Sequence, residues 1–117
     1  MDVMLILVVG AGRVGAKVLL QLKKNPELKV VTVDPREKPF SVKEGIINAV
    51  DYHNELSLLE LKEVFEEVKP DLVLVTTSSE DIGRTGIAGL EVLVEALKGE
   101  LEATESVPII AVSRTIS

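Results

Sequence analysis

With 117 residues, 46% of them hydrophobic and 27% charged, the chain suits a single globular domain over residues 1–117. That length is too short for a dehydrogenase with separate cofactor and substrate domains. Thirteen Lys and Arg against 19 Asp and Glu give a net charge of −6, the opposite of the basic footprint that nucleic-acid binding requires, and cysteine is absent. These facts argue against a nucleic-acid partner, a disulfide framework, a thiolate nucleophile and a zinc ribbon.

The first predicted strand is the apolar run Val3 to Val9, as expected of a parallel strand buried on both faces. Its apolar stretch is too short to span a bilayer and no signal-peptide pattern follows, so the expectation is a cytoplasmic protein that is not membrane-embedded. Residues 13–24 follow helical spacing through Val14, Val18, Leu19 and Leu22, and Asn25-Pro26 stops the helix. Leu28 to Val33 reads as the second strand, residues 35–44 as a polar loop, and Ile46 to Val50 as a short third strand. Ser57 and Glu60 have capping-box spacing, and Leu58, Leu61, Val64, Phe65 and Val68 carry an amphipathic helix to Lys69-Pro70. Asp71 to Thr76 is the fourth strand, residues 82–98 a helix with Gly99 as its C-cap, and Val107 to Val112 the fifth strand. The alternation predicts an α/β, three-layer, doubly wound fold with a five-stranded parallel sheet in the order 3-2-1-4-5.

The first strand runs into Gly10-Ala11-Gly12-Arg13-Val14-Gly15, which opens the first helix. Gly10 lets the chain turn off the strand, Gly12 lets a pyrophosphate approach the backbone, and Gly15 lets the helix pack closely on the sheet. The helix N-terminus supplies unpaired N–H groups and the positive end of its dipole. Asp34, at the end of the second strand, is placed to accept hydrogen bonds from the ribose hydroxyls of an adenosine. Together these are the marks of a Rossmann-like dinucleotide site. The Asp34 charge favours NAD over NADP, and Arg36, beyond Pro35, softens that preference. NADH, NADP or an adenine nucleotide stay open as ligands. S-adenosylmethionine enzymes also place an acid after the second strand, but usually another just before the glycine loop, where this chain has Val8-Val9.

Arg13 reads either as a contact to a ligand phosphate or as a solvated first-turn side chain. The fourth strand exits through Thr76, Thr77 and Ser78 at the switch point of the sheet, where hydroxyls serve either a ligand or a helix N-cap. Gly83, Gly86 and Gly89 form a smooth strip on the helix that follows, and Arg84 near its start reads either as a phosphate contact or as a salt-bridge partner of Glu80 or Asp81. His53, the sole histidine, lies in a loop without an evident acid–base partner, and neither a serine elbow nor helically spaced metal ligands occur. The predicted site therefore holds a nucleotide and lacks a catalytic set.

Val8 to Gly15, Asp34 and the exit from Thr76 to Asp81 resemble the nucleotide-binding domain of potassium-transport regulators, the KTN or RCK N-terminal domain. The resemblance implies a Rossmann domain that binds NAD(H) or adenine nucleotides, forms homodimers and gates a transporter partner without catalysis. It also implies that Asp51 lies near the adenine. The chain departs from that family at Val50, where the family has glycine before the aspartate. Lys69 to Ser79 is similar, too, to a strand of small dehydrogenases and reductases of the dihydrodipicolinate reductase type. An oxidoreductase subunit completed by another chain, and a non-catalytic scaffold, are the alternatives.

Overall fold

The structure is a computed structural model and describes residues 3–55, 57–76, 95, 99 and 107–112. Within these residues the chain order is β1 (Met4–Val9), α1 (Arg13–Leu22), β2 (Leu28–Val33), α2 (Phe40–Lys43), α3 (Leu58–Val68), β3 (Leu72–Val75) and β4 (Ile109–Ala111). All strand pairs are parallel, in the order β2-β1-β3-β4. The fold is α/β and Rossmann-like, as the sequence predicts.

The twofold alternation of the strands divides their side chains between two cores. Leu7 and Val9 of β1, Val33 of β2, and Val73 and Val75 of β3 join Leu61, Val64 and Phe65 of α3, with Val107 and Ile109 closing the cluster. Ile6 and Val8 point the other way, to Leu19 of α1, where Val30 and Leu74 pack beside them. A central strand sandwiched in this way must be apolar at every position, and β1 is buried from Ile6 to Val9.

The predicted third strand is replaced by a turn and a single bridge, so the sheet has four strands among the described residues, not five. The neighbours Ile46 and Ile47 both pack on the α1 side, which a strand's alternation forbids. Gly45 turns the chain there at φ 75°, and the Ile46 and Ile47 amides both donate to the Ser41 carbonyl. Pairing with β2 begins only at Tyr52, whose N–H donates to the Thr32 carbonyl and whose carbonyl accepts from the Asp34 N–H. The segment predicted as a polar loop contains α2, a single helical turn entered through Pro39. Gly99 is helical, and the residues on either side of it, which decide the C-cap prediction, lie outside the described residues. The predictions for Thr77, Ser78, the Gly83–Gly86–Gly89 strip and Arg84 fall outside the described residues.

Candidate functional site: the glycine loop and the adjoining cleft

Strand register builds the site. Val9 is level with Val33 on one side and with Val75 on the other. The next residue of each strand, Gly10, Asp34 and Thr76, therefore emerges in one row at the C-terminal edge of the sheet. The order β2-β1-β3 places this row where the chain reverses its direction of winding, the usual place for a ligand in open α/β sheets.

The glycine loop is held from every side. Gly10, at φ 99°, donates its N–H to the Val33 carbonyl (2.8 Å) and accepts from Thr76 Oγ1 (2.7 Å). The Ala11 N–H donates to Asp34 Oδ2 (2.9 Å), and the Ala11 carbonyl accepts from the Ser41 N–H (3.0 Å). Ser41 Oγ reaches the Gly12 carbonyl at 3.5 Å. A side chain at Gly15 would run into the Gly10 carbonyl and lie 2.9 Å from Thr76 Oγ1, which is why this position requires glycine. Helix α1 begins at Gly12 with no side-chain cap and no acid in its first turn, leaving the loop end of its dipole uncompensated.

Asp34 is fully buried. Its Oδ1 accepts from the Arg36 N–H and Nε, both at 2.9 Å, and its Oδ2 from the Ala11 N–H and from Arg36 Nη2 at 2.7 Å. Burial pushes the carboxyl pKa up; the hydrogen bonds from the Arg36 side chain, Ala11 and the Arg36 backbone, with the Arg36 charge, outweigh it and hold the group below its ordinary value. Asp34 thus ties β2 to the glycine loop, with the Arg36 guanidinium bonded to both of its oxygens. Pro35 bridges the two and is half-buried.

Thr76 is buried, and its hydroxyl also lies 3.0 Å from the Val9 carbonyl, so it braces the loop from behind. Asp51 sits at the outer edge of β2, its Oδ2 accepting from the Thr32 N–H (2.8 Å) and Oγ1 (3.1 Å), and there it does the work of the absent strand. His53 is exposed, with Nδ1 3.2 Å from the Arg36 carbonyl.

Beside the loop, α1, the β2 exit and α2 enclose a cleft of about 750 Å³. Gly12, Arg13, Val14 and Phe40 are among the residues that line it. The Arg13 guanidinium lies over the Phe40 ring, 4.6 Å from its centroid. The sequence prediction brought Gly10 to Gly15, Asp34, Arg36 and Thr76 to one place, and the structure does the same. It missed Lys38, Phe40, Ser41 and Lys43. The one available signal was Phe40, an aromatic inside a polar segment of a chain with only two Phe, one Tyr and no Trp. Among the described residues no group of acids and histidines could hold a metal ion, and no helix is long and apolar enough to cross a membrane.

The chain matches no family model and no curated protein. It does resemble solved structures. A dTDP-glucose 4,6-dehydratase from Bacillus anthracis in complex with NAD superposes over 94% of the chain, with a TM-score of 0.65 and 17% identity. A UDP-glucose 4-epimerase from Thermotoga maritima with UDP-glucose covers 92%, at 0.66 and 16%. A short chain dehydrogenase from Leptospira borgpetersenii with bound NAD+ covers 95%, at 0.54 and 16%. This chain spans 37%, 37% and 51% of those proteins, respectively. At such identities the likeness is one of fold.

Proposed function

We propose that this chain is a dinucleotide-binding module for NAD or NADH whose ligand serves as a regulatory signal. The observation that carries this reading is the row of Gly10, Asp34 and Thr76 at the switch point, with the uncapped N-terminus of α1 beside it. The pyrophosphate would lie against the backbone from Gly12 to Gly15, where N–H groups and dipole favour negative charge. The adenosine ribose would take over the Asp34 oxygens now bonded to Arg36, exchanging two guanidinium donors for two hydroxyl donors. Binding therefore moves Arg36, and a cytoplasmic homodimer that passes this movement to a transporter partner fits the resemblance to potassium-transport regulators.

Calorimetry with NAD, NADH, NADP, ATP and AMP tests the reading; folded protein that binds none of them at millimolar concentration overturns it. A second reading has its own support: the solved structures resembled include enzymes of which this chain spans about a third to a half. In that reading it is the cofactor-binding part of an oxidoreductase completed by other residues. Hydride transfer that appears only when a partner chain is added would establish it.

A further inference from the structure

We propose that the cleft between α1 and α2 is an interface whose occupant is helix α3 of a second copy of this chain. The contact needs no nucleotide and stands apart from the dinucleotide reading.

The cleft, of about 750 Å³, has room for a row of several side chains. Its cations come from separate segments: Arg13 and Lys17 of α1, Lys38 after β2, and Lys43 at the end of α2. Glu44 is the one acid of the lining. Among the described residues none of these four cations has a carboxylate partner, in a chain whose net charge is −6. Arg13 and Lys17 stand one turn apart near the positive end of the α1 dipole, where no first-turn acid offsets them. The same lining includes Leu20, 48% exposed, and the half-buried Phe40 and Ile46. The complementary occupant is anionic and carries an apolar side chain.

Helix α3 has both properties. Leu61, Val64 and Phe65 turn one of its faces to the core. Leu59, Glu63 and Glu66, at spacings of four and three, form a single row on the opposite face. Leu59 is 71% exposed, the highest value for a large hydrophobic among the described residues. Glu60 is bonded to Asn54 and Glu67 to Tyr52, whereas Glu63 and Glu66 are exposed without a cation partner among the described residues. Lys62 flanks the row and is already engaged. The molecule thus carries a cationic cleft with an apolar lining and an acidic row with an exposed leucine, each the complement of the other.

The layers of the fold set the geometry of the contact. Helix α1 packs on the Ile6 and Val8 side of the sheet and α3 on the Leu7 and Val9 side, so cleft and row face opposite ways. No copy can fill its own cleft, and a single pair leaves one cleft and one row vacant. The contact is therefore head-to-tail and continues from copy to copy.

Sedimentation at increasing protein concentration, in about 20 mM and about 300 mM salt, tests this. The wild-type chain should grow beyond two copies, with an apparent affinity about tenfold or more weaker at the higher salt. Leu59→Ser, which changes no charge, should weaken the association about fivefold. The cleft variant (Lys17→Glu, Lys38→Glu, Lys43→Glu) and the α3 variant (Glu63→Lys, Glu66→Lys) alter exposed side chains alone and should keep the circular dichroism of the wild type. Each by itself should lose the larger species, because like charges then meet at the contact. An equimolar mixture of the two should restore it, since every cleft then finds an α3 of opposite charge. A wild-type chain that never exceeds two copies overturns the proposal; an isologous dimer would keep its size in both variants. Association that either charge variant retains also overturns it, as do folded variants whose mixture fails to assemble. Each of these outcomes leaves the dinucleotide reading standing, because that reading is judged by nucleotide binding.

Discussion

Asp34 concentrates more of the site's hydrogen bonds than any other residue, and its role in the fold is structural. Both of its oxygens are occupied, and one bond fastens the buried Ala11 N–H of the glycine loop. Asp34→Asn keeps the shape and weakens these charge-assisted bonds, so a loss of about 2 kcal/mol is expected in urea melts at pH 7. The pH dependence follows from the lowered pKa. The Asp34 contribution is complete above the ordinary carboxyl value of about 4 and disappears as pH falls through the lower folded value. The stability gap between wild type and Asp34→Asn should therefore narrow between pH 5 and the acid limit of the melts. Gly15 poses a steric question instead. Gly15→Ala forces α1 away from the Gly10 carbonyl and should cost about 3 kcal/mol in thermal denaturation.

Helix α3 shows how the ends of an element are specified. Ser57 accepts the Glu60 N–H at 3.4 Å, which is half of the predicted capping box; the Glu60 carboxylate instead accepts from Asn54 Nδ2 at 3.1 Å. Ser57→Ala should lower stability by about 1 kcal/mol, as read from denaturant midpoints. At the other end Lys69 sits in the left-handed region, φ 52° and ψ 61°, with its N–H on the Phe65 carbonyl. That backbone suits glycine, and Pro70 prevents further helix. Lys69→Gly should therefore stabilise the chain by about 0.5 kcal/mol, a rise of about 2–3 °C in Tm.

At the scale of the whole molecule, the elements legible in the sequence were those with a full period to display. The apolar runs of β1 and β3, the β-branched run of β2 and the apolar stripe of α3 each declare a buried element, and together they yield the parallel sheet between α1 and α3. Two elements were not legible. Helix α2 has four residues, barely one turn, too few for a 3.6-residue period to emerge. The segment Ile46 to Val50 has the composition of a strand, but its course is decided by Gly45 and by Ser41, whose carbonyl receives two of its amides. The glycine loop and Asp34 were legible because their spacing is local. The partners that hold them were not: Thr76 is 66 residues from Gly10, and Ser41 is 29 from Gly12. The cationic cleft is illegible in the sequence for the same reason, since its charges are scattered singly along the chain and only folding brings them together.

The bracing of the glycine loop has a kinetic consequence. Surface loops ordinarily open locally, so their amides exchange with solvent far faster than those of the core. Here the Gly10 and Ala11 amides are bonded to Val33 and to buried Asp34, at the ends of the central strands. The Gly10 amide is released only when the ends of β1 and β2 part, and the Ala11 amide only when its bond to a buried carboxylate breaks. In hydrogen–deuterium exchange both should be nearly as slow as the amides of the buried strand residues Val8 and Val9. A ligand arriving at such a loop meets a surface already fixed in place, so little of its binding free energy is spent on ordering the loop.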